Sequence, residues 1–236
     1  MDQGKLYLIP TTLGENDPLA VLPQTVKNKI SELRYFIVEN EKTARRFIKM
    51  ICPEKSQPSL ILYTLNKHTE SSELPEFLNP CLKGEDVGLL SEAGCPGVAD
   101  PGADVVHIAH QQNIKVIPLV GPSSILLAMM ASGMNGQRFA FKGYLPIDKQ
   151  ERKKELKRLE RWSLEQNESQ IFIETPYRNN KLLDDLIQLL DSNTELCVAC
   201  DLTLSTEFIK TMPILAWKKN IVDLHKRPTI FIIHKR

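Results

Sequence analysis

The 236-residue chain reads as an α/β protein of two α/β domains, the first built on a mostly parallel sheet and the second on a mixed one. Three observations predict this. Short apolar runs alternate with helical segments through the first half, the pattern of strands buried in a parallel sheet. Turns rich in Gly, Pro and Ser stand where those strands end. Beyond Val120 the composition changes, and neighbouring strand-like runs read as an antiparallel pair. The domains are therefore expected at 1–120 and 121–236.

In chain order, Lys5 to Pro10 is a strand running into the polar turn Thr11 to Asp17, and Leu19 to Ile30 is expected to be helical. Arg34 to Val38 is a strand that ends at Glu39-Asn40, and Glu41 to Ile51 is a helix. Leu60 to Tyr63 is a third strand, Leu74 to Leu82 a helix and Val87 to Leu90 a fourth strand. A helix starts at Ala103, and Lys115 to Leu119 is a further strand. Ile125 to Ser132 is a helix with Ser123 or Ser124 placed to cap it, and its Met129 and Met130 are expected in the core. Phe139 to Tyr144 is an aromatic strand. Asp148 to Glu165 is a charged helix in which Lys149, Arg152, Lys153, Lys154, Lys157, Arg158 and Arg161 face Asp148, Glu151, Glu155 and Glu160. Such a run reads first as a solvated face with i,i+4 pairs, and second as a nucleic-acid surface. Gln170 to Glu174 is a strand ending in Thr175-Pro176-Tyr177-Arg178, and Asn180 to Leu190 is a helix. Leu196 to Asp201 and Glu207 to Thr211 form the strand pair, Pro213 to Lys219 is a short helix, and Thr229 to His234 is the last strand.

Composition excludes little. Hydrophobic residues make up 42% and charged residues 25%, as in ordinary globular proteins, and the net charge of +1 argues against nucleic-acid binding through bulk charge alone. No stretch approaches the roughly 20 apolar residues of a membrane span. The start MDQGKLYLIP turns polar too soon for a signal peptide, which points to the cytoplasm. The five cysteines, Cys52, Cys81, Cys95, Cys197 and Cys200, are scattered and odd in number, unlike a disulfide framework. Cys197 and Cys200 form a CxxC, but residues three apart on a strand face opposite ways, so they read as buried thiols. His107 and His110 share a helix face without a third ligand near them in sequence. No metal is expected.

The most informative stretch is Leu89-Leu90-Ser91-Glu92-Ala93-Gly94-Cys95-Pro96-Gly97-Val98-Ala99-Asp100-Pro101-Gly102. Gly and Pro at this density fix a tight path and let a ligand approach the main chain, although a well-formed turn without a ligand would look the same. Leu119-Val120-Gly121-Pro122-Ser123-Ser124 repeats the logic at a second strand end, where hydroxyls and free amides meet the start of a helix.

These two loops, LLSEAGCPGVADPG and then PLVGPSSILLAMMASG followed by RFAFKGYLP, resemble the tetrapyrrole methylase superfamily. IFIETPYR and ACDLTLSTEFI continue the resemblance in order, so that it covers essentially the whole chain. The branch most resembled is the one that methylates a cytidine ribose 2′-hydroxyl of small-subunit ribosomal RNA. The resemblance implies two α/β domains with S-adenosylmethionine held in the cleft between them. Carried onto this sequence, it implies cofactor contacts at Leu13, Ala93, Gly94, Cys95, Val98, Ser123, Ser124, Glu174, Thr211 and Thr229, many through the main chain. It also implies a homodimer and a ribosomal RNA or small-subunit partner, with no membrane.

The sulfonium methyl is already activated, so transfer needs alignment more than covalent catalysis, and near-attack geometry contributes about 7–11 kcal/mol. A ribose hydroxyl would also have to lose its proton. The candidate carboxylates are Glu39, Asp100, Asp201 and Glu207; each reads equally as a capping or surface acid. Departures from the branch fall at polar positions: Thr12 to Asp17 replaces G-N-L-G-D, Asn40 and Lys42 replace an Asp and an Arg, Cys200-Asp201 replaces Arg-Glu, and Lys226-Arg227-Pro228 replaces K-G-E. Two other readings therefore stand beside an RNA methyltransferase: a methyltransferase of a tetrapyrrole or other small molecule, and a cofactor-binding protein without catalysis.

Overall fold

Runs of β-branched, Leu and aromatic residues closed by Gly, Pro, Asn or Glu form the strands of two five-stranded sheets. The computed structural model describes residues 3–66 and 68–236, and the chain divides after Ser123 into two compact units.

In the first unit β1 (Leu6–Ile9), β2 (Tyr35–Val38), β3 (Ile61–Thr64), β4 (Val87–Leu90) and β5 (Val116–Pro118) pair in the order β3-β2-β4-β1-β5, every pair parallel. Alternate residues serve opposite faces. Tyr7, Ile9, Phe36, Val38 and Leu90 pack with Val26 and Ile30 of α1 (Gln24–Glu32) and Phe47 and Ile48 of α2 (Glu41–Ile51). Leu6, Ile37, Val87 and Leu89 pack with residues of α3 (Leu74–Phe77), α4 (Asn79–Leu82) and α5 (Ala103–Gln111). With both faces covered, near-continuous apolar strands are what burial requires.

Two helices differ from the sequence expectation, each because of a proline. Leu19 to Ile30 is not one helix. Pro18–Ala20 makes a single 3-10 turn, and α1 begins after Pro23, which is extended at ψ 152°. A helix through position 23 would lose a hydrogen bond and clash with the preceding turn. Leu74 to Leu82 splits into α3 and α4 at Leu78, because Pro80 has no N–H to continue the ladder.

In the second unit β6 (Phe139–Tyr144), β7 (Ser169–Ile173), β8 (Glu195–Cys200), β9 (Phe208–Pro213) and β10 (Thr229–His234) pair in the order β6-β7-β10-β8-β9. Only β6 and β7 run parallel, so the sheet is mixed. One face packs on α7 (Lys149–Gln166), α8 (Asn179–Leu189) and α9 (Ile214–Trp217) through Phe172, Val198 and Phe231. On this sheet α6 (Ser124–Ser132) contacts β8, β9 and β10.

Met129 is buried, but Met130 is 80% exposed, contrary to expectation. One residue step turns a helix by about 100°, which swings Met130 off the buried stripe formed by Ile125, Ala128, Met129 and Ser132. The charged helix α7 is also not simply a solvated face. Arg152 is buried, its Nε donating to Asp185 Oδ2 at 2.8 Å and its Nη1 to the carbonyls of Pro146 and Ile147. Glu160 is buried as well and accepts from Thr194 Oγ1, the Asp191 amide and Lys157. Burial opposes its charge, but these donors outweigh that cost and hold its carboxyl below the usual range.

Candidate functional site

Within the first sheet, β2 and β4 are neighbours whose outgoing connections lead to α2 on one face and α5 on the other. Such divergence opens a crevice at the carboxyl ends of the strands, where small ligands bind in open α/β sheets. Glu39 follows β2, the stretch Ser91 to Gly102 follows β4, and Thr11 to Asp17 follows the adjacent β1.

The loop after β4 is tied down by its own main chain. Ser91 Oγ donates to the Gly94 carbonyl at 2.7 Å, and the Thr11 amide donates to the same oxygen at 2.9 Å. Gly94 takes φ +78°, and a Cβ there would stand 3.1 Å from Leu13 Cδ2 and 3.3 Å from the Pro122 carbonyl oxygen. Glycine thus lets the loops after β1, β4 and β5 close together. Cys95 Sγ lies 3.4 Å from the same Pro122 carbonyl, and burial pushes its thiol pKa up. The structure therefore brings Leu13, Gly94 and Cys95 to one place, with Ser123 next in the chain. Ala93 and Val98 lie on the exposed side of the loop. Ser124 is the first residue of α6, so Ser123 stands at the N-cap position.

Three carboxylates meet at this edge. Glu39 is within hydrogen-bonding reach of the Asp100 carboxyl and accepts the backbone N–H of Glu92; burial, the Asp100 contact and the Glu92 charge push its carboxyl up to about 7. Asp100 Oδ1 also accepts the Gly102 amide at 3.0 Å, and Glu92 Oε1 accepts from Thr43 Oγ1 at 2.7 Å. Asn40 caps α2 by accepting from the amides of Lys42 and Thr43, so the Asn that replaces the branch's Asp keeps an N-cap oxygen.

Beside these loops lies a cavity of about 720 Å³, walled by Thr11 to Pro18, by Leu90 to Ala93 and by the Thr43, Arg46, Phe47 and Met50 side of α2. That volume is in the range of sites for small organic molecules. Arg46 Nη2 pairs with Glu15 Oε1 at 2.7 Å on its exposed side. Sequence reading missed this wall. Its one signal was Met50, an apolar residue off the buried stripe of α2 and 43% exposed.

In the second unit Glu174 is buried at the end of β7, where its Oε1 accepts from the Thr175 amide and from Arg178 Nη2, each at 2.6 Å. Burial opposes the charge of Glu174, and these donors overcome it to hold the carboxyl below the usual range. Thr229, at the start of β10, pairs with Cys200 across the sheet and its Oγ1 donates to the Arg227 carbonyl. The register of β7 and β10 sets Glu174 beside Thr229 at one edge. Thr211 lies further along, opposite Cys197, and its Oγ1 donates to the Ser132 carbonyl at 2.8 Å. Asp201, at φ +52°, accepts from Arg227 Nε at 2.7 Å and Thr206 Oγ1 at 2.9 Å. Glu207 is exposed and accepts the Thr203 amide.

Among the described residues no three His, Cys, Asp or Glu side chains are grouped to hold a metal. Cys197 and Cys200 are buried free thiols.

The description "Tetrapyrrole (Corrin/Porphyrin) Methylases" matches residues 6–215 of this chain. The curated "Ribosomal RNA small subunit methyltransferase I" of Buchnera aphidicola subsp. Schizaphis graminum is 31% identical, over 98% of this chain and 78% of its own length. The crystal structure of the methyltransferase CobJ aligns with a TM-score of 0.63 at 16% identity, over 98% of this chain and 94% of that one. The uroporphyrin-III C-methyl transferase from Thermus thermophilus, crystallised with S-adenyl homocysteine, aligns with a TM-score of 0.55 at 14% identity, over 98% of each chain. At these identities the two solved structures establish a shared fold.

Proposed function

Because the chain belongs to the tetrapyrrole methylase family, and is thus an S-adenosylmethionine-dependent methyltransferase, we propose that its acceptor is ribosomal RNA, at the ribose 2′-hydroxyl of a small-subunit cytidine. The observation that carries this reading is the 31% identity, running along 98% of the chain, to a relative named for small-subunit ribosomal RNA.

Bound S-adenosylmethionine supplies a methyl group already activated on a sulfonium. The residues proposed to hold it are Leu13, Ala93, Gly94, Cys95, Val98, Ser123, Ser124, Glu174, Thr211 and Thr229. The first unit suits such a ligand: Gly94 lies where a Cβ would crowd both neighbouring loops, and a cavity of about 720 Å³ adjoins them. Glu174 and Thr229 lie side by side on the second sheet. Loops held by main-chain hydrogen bonds offer a fixed surface, and fixed orientation is what an in-line transfer needs.

A ribose hydroxyl must also give up a proton. Of the four candidate carboxylates, the Glu39–Asp100 pair suits that step. A Glu39 carboxyl raised to about 7 can accept another group's proton near neutral pH. Asp201 is held by Arg227 and Thr206, and Glu207 by the Thr203 amide, which suits them to fixing the loop between β8 and β9. A small-subunit acceptor goes with a cytoplasmic location, which belongs to the same proposal. Among the described residues no helix is long and apolar enough to cross a membrane. A homodimer belongs to the same proposal and is checked by light scattering.

The test offers methyl-labelled S-adenosylmethionine with small ribosomal subunits, naked ribosomal RNA and tetrapyrroles. Label in subunit RNA is the expected result. Label in a tetrapyrrole, or tight cofactor binding with no transfer to any acceptor, refutes the proposal.

A further inference from the structure

Tyr177 is a large aromatic residue left 70% exposed on the second unit, in the turn between β7 and α8. The loop before β10 brings His225 and Lys226 to it. The imidazole meets the phenol ring edge-on at a centroid distance of 5.9 Å and an interplanar angle of 76°, and the Lys226 ammonium lies 5.9 Å from the ring centroid. The two segments are tied together. The Lys226 amide donates to the Pro176 carbonyl at 3.0 Å. Asn180 bridges the same segments, accepting the Leu224 amide at 2.7 Å and donating to Asp223 Oδ1 at 2.8 Å.

Two of the nearby acids are ion-paired, Glu174 with Arg178 and Asp201 with Arg227, and the third, Asp223, is hydrogen-bonded by Asn180 and the His225 amide. Lys226, held at φ +61° on an exposed loop, is in no ion pair among the described residues. An exposed ring next to an unpaired cation, on segments already ordered, matches the requirements of an unpaired nucleotide: a π-face for the base and a positive charge for its phosphate. Prior ordering also spares the entropy of fixing these loops on binding.

We propose that Tyr177, with His225 and Lys226, is a stacking platform that holds an unpaired nucleotide of the RNA substrate. The inference rests on the RNA acceptor proposed above and adds to it a contact through residues that are not among those proposed to hold the cofactor. The base stacks on Tyr177, and Lys226 meets the backbone phosphate.

The experiment measures anisotropy of a short fluorescein-labelled single-stranded RNA, and the KM for small ribosomal subunits, with the parent and with Tyr177→Ala, Tyr177→Phe and Lys226→Ala. Thermal melts check folding. Tyr177→Ala should weaken RNA binding about 5- to 150-fold, the usual range for losing one stacked base, and raise KM while kcat at saturating subunits is kept. Tyr177→Phe should bind like the parent. Lys226→Ala should make log Kd less steep in log salt by about 0.7, one phosphate contact on a single strand. If the parent methylates subunit RNA while Tyr177→Ala matches it in Kd and KM, the platform is refuted and the acceptor stands. Loss in Tyr177→Phe equal to that in Tyr177→Ala also refutes stacking. If the parent neither binds nor methylates RNA, the acceptor reading fails and the platform fails with it.

Discussion

Replacing Gly94 by Ala should separate the role of the loop after β4 in cofactor binding from its role in the fold. Two costs follow from its geometry. A non-glycine residue at φ +78° costs about 1–2 kcal/mol. The new Cβ, 3.1 Å from Leu13 and 3.3 Å from the Pro122 carbonyl, forces both to give way, for about 1 kcal/mol more. The sum of about 2–3 kcal/mol is small beside the usual 5–15 kcal/mol of a folded domain. At about 2–4 °C per kcal/mol for a chain of this size, Tm should fall by about 4–12 °C. The Gly94 carbonyl accepts from both Thr11 and Ser91, so the shift carries into the loops on either side. Titration calorimetry with S-adenosylhomocysteine should then show a Kd raised at least about tenfold, or about 1.4 kcal/mol. Gly143 gives the control: it sits at φ +66° with nothing within 4 Å of its Cβ position, so Gly143→Ala carries only the backbone cost and keeps the parent's affinity. Gly94→Leu should abolish binding, but it crowds the same contacts further and lowers Tm more than Gly94→Ala. A folded Gly94→Ala protein with a Kd within about twofold of the parent would remove this loop from the cofactor site.

Three further outcomes follow from the charged and thiol groups. In the unfolded chain Glu39 ionises near pH 4.3, but in the folded protein only near 7, so its protonated form stabilises the fold fully below about pH 4 and that contribution is lost as pH rises through 7. Between those limits the parent should lose about 1–2 kcal/mol more stability than Glu39→Gln, solvent screening at this half-buried group included, and equal slopes in denaturant melts would contradict it. With Glu39 as the base, kcat should climb to a plateau above about pH 7 and fall about 100- to 10,000-fold in Glu39→Gln. Arg152→Met alone should cost about 3–5 kcal/mol by leaving Asp185 buried without its partner, and Arg152→Met with Asp185→Leu should recover most of it in urea melts. Cys95 is the one half-buried thiol of the five free cysteines, so mass spectrometry after iodoacetamide should find it modified first and slowly, with S-adenosylhomocysteine protecting it.

The parts legible in the sequence were those set by local chemistry. The parallel strands and the strand pair of β8 and β9 follow from short apolar runs, and the Gly-rich turns from residues that tolerate positive φ. Local reading failed where position along the chain said nothing about neighbours in space. Arg152 looked like any lysine-flanked helix residue until Asp185 was packed beside it. Glu39 and Asp100 are separated by α2, β3, α3, α4 and β4, and only the crossing that makes β2 and β4 neighbours brings them together. Pro23 and Pro80 were visible as residues, but an apolar pattern read across them overrode their missing N–H groups. The exposed ring of Tyr177 was hidden for the opposite reason, since it sat inside a motif read only for its neighbour Glu174.

Nucleoside mass spectrometry of small-subunit RNA, after reaction with the protein and a deuterated methyl donor, tests the central claim most directly. The account predicts deuterated 2′-O-methylcytidine in that RNA, formed by the parent and strongly reduced in Glu39→Gln. Deuterium in a methylated base, or in a tetrapyrrole with none in the RNA, would contradict it.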